Sequence, residues 1–277
     1  MSFEVLASGR GLVEGPTVDA DGSLYFSDVL GGGVYRRAPD GALEEVIPKR
    51  RGVGGIALHA DGGLVVSGRD VVHVREGETR VLLRIEGLHG WNDLCADGRG
   101  RVVAGALRFA VFDRDAEPVP GECWRTGEDG RAERLYGNLV HANGVALGPD
   151  ERCIVHSDTR RIRLVVHDLD AQSRAENRRE WPTHEVGPPD GLAFDTAGCV
   201  WVAAVGGGKV ARYTPEGRLD GALEVPARLV TSLCFGGDDG RDLYVTTADH
   251  TERPELRGCV LRTRVAQAGL PVPPARV

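Results

Sequence analysis

The sequence predicts an all-β protein that folds as a six-bladed β-propeller. One unit is clearest at residues 188–203, where Asp190-Gly191 opens a short apolar strand, Asp195 begins a D-x-x-G turn, and a second apolar strand follows. The same layout recurs at intervals of 38 to 51 residues, with strands and no convincing helical period inside each unit. Repeats of this length and content are typical of propeller blades, and six of them predict six blades.

Each unit has an equivalent position five residues before its turn. Around a radial repeat, equivalent positions lie on one ring about the central axis. The six positions are occupied by Glu14, Gly54, Asn92, Asn143, Asp190 and Ser232. The pattern therefore predicts that two carboxylates and two amides meet at one mouth of a central channel.

The remaining elements follow in chain order as one domain over residues 1–277. Residues 3–8 indicate a lone strand, which we expect to join the last blade and close the ring. The polar, turn-rich stretch 113–121 in the third unit predicts a long loop that shapes access to the channel. The Pro-rich residues 270–277 are expected to be frayed.

Composition and charge restrict the possible partners. The formal net charge of −7 argues against nucleic acid, which usually requires a concentrated basic face. No apolar run approaches the roughly 20 residues of a membrane-spanning helix, and the first residues do not resemble a signal peptide. Six cysteines without C-x-x-C spacing predict free thiols in a reducing compartment. We therefore expect a cytoplasmic monomer or weak dimer that acts on a small molecule.

The polar ring positions predict a site for one divalent cation. Glu14, Asn143 and Asp190 offer oxygen ligands, which suit hard divalent cations. Each is followed by glycine, which we expect to let the backbone bend and to keep the axial channel open. Any one such Asp, Asn or Glu, taken alone, could equally be a turn residue at the start of a strand. The shared offset in the repeat favours a site.

Several ordered motifs resemble the regucalcin/gluconolactonase family, which includes senescence marker protein and luciferin-regenerating enzymes. The resemblance covers roughly residues 13–250. It rests on the segments Val13-Glu14-Gly15-Pro16, Trp91-Asn92-Asp93, His141-Ala142-Asn143-Gly144, Pro189-Asp190-Gly191-Leu192 and Thr231-Ser232-Leu233-Cys234-Phe235-Gly236-Gly237.

The resemblance implies a propeller lactonase with one metal in its channel. It implies Glu14, Asn143 and Asp190 as metal ligands, Asp190 also as the general base, and Asn92 as a substrate contact or a water-mediated metal contact. The metal could be Ca²⁺, Zn²⁺, Mn²⁺, Mg²⁺ or Fe²⁺. Its expected chemistry is hydrolysis of a lactone by a polarised carbonyl and an activated water.

The third unit departs from the motif of sugar-lactone relatives. Those relatives usually have arginine two positions before the asparagine, where this chain has Gly90, and they have glycine where it has Leu94. Trp91 would offer mainly an apolar ring, so we expect a less hydroxylated or more apolar lactone. Arg108 and His89 are the candidates to replace the missing donor.

Other chemistries remain open from the sequence. His141, His156 and His184 are alternative bases, since histidine can transfer protons at neutral pH. The same metal could serve hydrolysis of a phosphotriester, an epoxide or another ester. A propeller that binds a metal without catalysis is the remaining alternative.

Overall fold

The computed structural model describes residues 2–127, 130–248 and 257–277. Within these residues the chain forms 24 β-strands, arranged as six four-stranded antiparallel sheets. The described helical structure consists of two single 3-10 turns at Pro149–Glu151 and Thr159–Arg161. In these ranges, no helix has the length and apolar character to cross a membrane. The six sheets are the six predicted blades.

Every blade has four strands, ordered from the channel axis outward. The innermost strands are β2 (Val13–Val18), β6 (Ile56–Leu58), β10 (Gly90–Ala96), β14 (Ala142–Leu147), β18 (Pro189–Phe194) and β22 (Val230–Gly236). The second strands are β3 (Leu24–Asp28), β7 (Leu64–Val66), β11 (Val102–Leu107), β15 (Cys153–Asp158), β19 (Val200–Ala204) and β23 (Asp242–Thr247).

The outer half of each blade completes the sheet. The third strands are β4 (Val34–Arg37), β8 (Val71–Arg75), β12 (Gly121–Thr126), β16 (Arg163–Leu169), β20 (Lys209–Tyr213) and β24 (Val260–Arg264). The outermost strands are β5 (Leu43–Ile47), β9 (Glu78–Leu83), β13 (Ala132–Leu139), β17 (Ala175–Pro182), β21 (Leu219–Glu224) and β1 (Glu4–Ala7).

The ring closes because its two chain ends share one sheet. β1 pairs antiparallel with β24, so the last blade takes its outermost strand from the beginning of the chain. An ion pair between Glu4 and Arg262, 2.5 Å apart, lies on the same pairing. Closure of this kind removes a sheet edge that an open repeat would expose.

The turn between the first two strands of a blade explains the repeated D-x-x-G sequence. In the fifth blade the Oδ1 of Asp195 accepts hydrogen bonds from the backbone N–H groups of Ala197 and Cys199, at 2.9 and 3.0 Å. Gly198 has φ +80° and donates its N–H to the carbonyl of Asp195. Such a turn favours aspartate at its start and glycine at the left-handed position. We call the end of the channel at these turns the lower end.

Hydrophobic cores lie between neighbouring blades. Trp201 and Val210 of the fifth blade pack in one cluster with Leu243 and Val245 of the sixth. Packing sheet face to sheet face buries alternate residues of each strand. All six cysteines lie in the described residues, where no two of them form a disulfide, and four are buried. The inter-blade cores fix the angle between sheets, and hence the ring of inner strands.

Residues 270–277, which we expected to fray, are instead held across the lower end of the channel. Backbone N–H groups of Leu270, Ala275 and Arg276 donate to carbonyls of three different blades, at 2.7–2.8 Å. Ala275 is fully buried. Frequent proline suggested disorder, but it also suits an extended segment that lacks a neighbouring strand. We call residues 268–277 the lower strap.

Deleting residues 270–277 should lower stability. The loss of four backbone hydrogen bonds, including that from Ala60 to Ala275, is worth about 2–6 kcal/mol. Chemical denaturation should show this decrease, while Val272→Ala, at a position 65% exposed, should remain within about 0.5 kcal/mol of the parent. Equal stability of the deleted and full chains would contradict the assignment of the strap as a fixed element.

Candidate metal centre

Local irregularities in the inner strands place the ring residues. Register shifts occur between Glu14 and Thr17 in β2, between Ala142 and Val145 in β14, and between Pro189 and Leu192 in β18. Comparable shifts occur in β10 and β22. A β-bulge bends its strand and re-aims a side chain. The bulges therefore lie where Glu14, Asn92, Asn143, Asp190 and Ser232 begin the inner strands, at the upper end of the channel.

The glycines after the ring residues allow adjacent inner strands to approach each other. A Cβ atom on Gly144 would lie 2.3 Å from the carbonyl oxygen of Asp190, and one on Gly191 would lie 2.1 Å from the Oγ of Ser232. Both distances are far below normal contact. We expected these glycines to keep the channel open, but here they allow the ring to be narrow.

Two buried carboxylates meet in this ring. Glu14 and Asp190 are 8% and 5% exposed. Burial raises the pKa of both groups well above the ordinary range, and the charge of Asp190 raises the pKa of Glu14 further. The Oδ1 of Asp190 is buried and has no hydrogen-bond partner in the described part of the chain.

Asn143 lies beside Asp190, and hydrogen bonding fixes its amide. Its Nδ2 donates to the Oγ1 of Thr159 at 3.2 Å. The Thr159 hydroxyl donates its only proton to the carbonyl of Pro189 at 2.7 Å, so it must accept from Asn143. The amide is therefore oriented with its Nδ2 toward Thr159, which leaves the carbonyl Oδ1 for another ligand.

Asp93 is a ring carboxylate that the sequence analysis did not assign to the site. Its side chain accepts from the N–H of Leu94 at 2.8 Å and from the N–H of Val145 at 3.4 Å. Burial raises the pKa of Asp93 to about 7, and its charge raises the pKa of Asp190. Its position directly after Asn92 was the available signal. Asp93 joins the third blade to the fourth beneath the predicted ligands.

Asn92 also contacts the next blade. Its Nδ2 donates to the carbonyl of Ala142 at 3.2 Å. Its Oδ1 lies beside Gly54, where a Cβ would come within 2.3 Å. Asn92 thus bridges the second and fourth blades at the upper ring.

The three other predicted substrate contacts have different environments. Trp91 is 2% exposed and packs between the second and third blades with Ala57 and Leu83. The guanidinium of Arg108 lies 2.7 Å from the carboxylate of Glu122 at the upper end of the third blade. His89 is exposed just before β10. The indole face of Trp91 belongs to the core, which removes the apolar surface that we expected it to offer to a substrate.

The candidate histidines are also separated from one another. His156 is fully buried, and its Nδ1 lies 3.0 Å from the hydroxyl of Tyr136. Burial is the main cause that lowers the pKa of His156 to about 3. His184 is exposed in the segment before β18. Of these three histidines, His141 is nearest in sequence to a predicted ligand, since it precedes Asn143 by two residues.

The donor set fits a hard divalent cation. Glu14 and Asp190 supply buried negative charge, and the unpartnered Oδ1 of Asp190 would otherwise carry the cost of an unsatisfied buried acceptor. Asn143 would supply a neutral oxygen. In the described ranges, no three His, Cys, Asp or Glu side chains are grouped as metal ligands, so the amide is needed to complete a three-ligand set.

A cavity of about 1680 Å³ lies on the lower side of this ring. Inner-strand residues and the lower strap line it, including Ile56, Leu147, Phe194 and Pro273. Glu14, Asn143 and Asp190 do not line it. Gly15, Asp93 and Ser232 do line it, so the cavity reaches the ring from below, and the three predicted ligands lie outside its lining.

Thr159→Val should weaken binding of a divalent cation by about tenfold. The substitution removes the acceptor that orients the Asn143 amide, and one hydrogen bond is worth roughly 0.5–1.5 kcal/mol. Thr159→Ser keeps the hydroxyl and should bind as the parent does. Calorimetric titration with Mn²⁺ measures both variants, and thermal unfolding checks their folding. Unchanged affinity in the folded valine variant would show that Thr159 does not orient a ligand.

Comparison with known proteins places the chain in a family. The family model described as SMP-30/Gluconolactonase/LRE-like region matches residues 12–249. A 6-deoxy-6-sulfogluconolactonase from Pseudomonas putida is 33% identical over 90% of this chain and 89% of its own. Pentonolactonase XacC from Haloferax volcanii is 30% identical over 86% and 81%.

A solved structure supports the same placement at the level of the fold. The structure of a luciferin-regenerating enzyme superimposes with a TM-score of 0.88 at 24% identity, and the match covers 100% of this chain and 99% of that chain. The overall propeller fold is thus shared with that protein. On its sequence match, the chain belongs to the SMP-30/gluconolactonase/LRE-like family.

Proposed function

We propose that this protein hydrolyses lactones, using a divalent cation held by Glu14, Asn143 and Asp190. The observation that carries the proposal is the buried Oδ1 of Asp190, which has no hydrogen-bond partner among the described residues, beside the second carboxylate of Glu14. Relatives of 30% and 33% identity are named for the hydrolysis of sugar lactones. The paired carboxylates and the names of these relatives both support lactone hydrolysis.

The bound cation would polarise an ester carbonyl and stabilise negative charge on its oxygen. The Asp190 carboxylate would also accept a proton from the attacking water. The water oxygen would bond to the carbonyl carbon, the ring C–O bond would break, and the proton held by Asp190 would pass to the leaving ring oxygen, so that the product would be a hydroxy acid. Asn92, held at the ring by Ala142, would orient the substrate.

The substrate that we propose is a sugar lactone. The expectation of a more apolar lactone depended on the indole face of Trp91, and that face is buried in the core. Gly90 offers no donor at the position where sugar-lactone relatives have arginine, and a Cβ there would lie 3.0 Å from the carbonyl oxygen of Gly68. Arg108 lies on the adjacent strand end, although its guanidinium is engaged by Glu122. Polar groups of the ring remain available to bind substrate hydroxyls.

Three substitutions test the proposal together. Glu14→Gln, Asn143→Ala and Asp190→Asn should each lower lactone hydrolysis about 100-fold or more, since a positioned base alone contributes this much. Each should also weaken cation binding, whereas Val272→Ala should retain both properties. A pH-indicator assay on gluconolactone, with Mn²⁺, Ca²⁺ or Zn²⁺ and with chelator, measures the activity.

The outcomes separate the alternatives. Full activity after chelation, or in all three variants, would overturn the proposed site. Firm cation binding without hydrolysis of any lactone would favour the other hydrolytic chemistries, or a binding function without catalysis. A screen of phosphotriester, epoxide and simple ester substrates would then distinguish the hydrolases from a binding protein.

A further inference from the structure

Three arginines at the upper end of the third and fourth blades differ in their partners. Arg108 pairs with Glu122 at 2.7 Å, and Arg161 pairs with Asp158 at 3.6 Å. Arg161 also donates to the Oδ1 of Asn138 at 2.8 Å. Arg160 makes no ion pair with a described carboxylate and is exposed. The charge of Arg160 lies near the candidate site, and no carboxylate among the described residues neutralises it.

Arg160 is supported by an aromatic ring. Its guanidinium carbon lies 5.3 Å from the ring centroid of Phe109, which is 6% exposed. A guanidinium held over an aromatic ring keeps its charge and its N–H donors, while the ring restricts its motion. The contact joins the upper loops of the third and fourth blades. Arg160 is therefore held in a defined place on the upper surface.

The chain brings this charge close to the ring. Arg160 directly follows Thr159, whose hydroxyl lies 3.2 Å from the amide nitrogen of Asn143. Arg160 therefore places a positive charge next to the residue that orients the Asn143 amide.

We infer that the substrate is a lactone with an anionic substituent, and that Arg160 binds this substituent. Planar N–H donors of a guanidinium match the oxygens of a carboxylate, sulfonate or phosphate. The reacting ester would lie at the upper ring, while the anionic end would extend toward the fourth blade. The inference rests on the proposed lactonase function and names the class of lactone that the same site would select.

The test compares two matched lactones. Gluconolactone is neutral, and a glucaric acid monolactone has a carboxylate in place of the terminal hydroxymethyl group. The parent should have a higher kcat/KM on the anionic lactone. Arg160→Gln should lose roughly 10- to 100-fold on it, and little on gluconolactone, because a charge-assisted hydrogen bond is lost. Arg160→Lys should retain part of the preference.

A matched control lies at the other end of the same blade. Arg152 is exposed beside the lower turn of the fourth blade, so Arg152→Gln removes the same charge far from the mouth. It should keep the parent's ratio of kcat/KM values. The preference should also fall with added salt, since exposed charges are screened. Equal rates on both lactones in the parent, or equal losses on both in Arg160→Gln, would overturn the inference.

A binding measurement keeps this test separate from the proposed catalysis. Calorimetry can compare glucarate with gluconate on the Mn²⁺-loaded parent and on both arginine variants. If no lactone is hydrolysed, tighter binding of glucarate that depends on Arg160 would still support anion recognition while the proposed activity fails. Equal affinity for the two ligands, binding of neither, or a preference unchanged in Arg160→Gln would overturn the inference whatever the activity.

Discussion

The repulsion between buried carboxylates at the narrow ring is the constraint on which the candidate site depends. Glu14 and Asp190 are both desolvated, and the negative charge of Asp93 raises the pKa of Asp190 further. Burying one ionised carboxylate without a partner costs free energy. Burying two side by side costs more, because their charges repel each other. A divalent cation between them would offset both costs. The bulged strands, the inter-blade cores and the glycine contacts hold the two carboxylates close together in the ring.

Neighbouring blades supply the groups that surround the carboxylates. Thr159 of the fourth blade contacts both the Asn143 amide and the carbonyl that precedes Asp190. Ser157 donates to the carbonyl of Asp190 itself at 2.6 Å. Because these contacts cross between sheets, the orientation of a ligand depends on the packing of the whole propeller. The lower strap lies on the other side of the ring, and the large cavity reaches the ring from below.

The six-bladed fold was predictable because its repeat is local. Each D-x-x-G turn lies a fixed five positions from a ring residue, so one unit explains the others. The placement of Trp91 in the core was not predictable, since alternation in a strand does not say which face a neighbouring blade covers. Thr159 and the lower strap were missed for a similar reason. Their roles come from contacts between blades, which leave no pattern along the chain.

The most direct test of the central claim is anomalous diffraction from crystals soaked in Mn²⁺. The account predicts one strong peak at the upper ring, with oxygens of Glu14, Asn143 and Asp190 within about 2.0–2.6 Å of the ion. An ordered ion bound elsewhere with this ring vacant, or no ordered ion at saturating Mn²⁺, would contradict it.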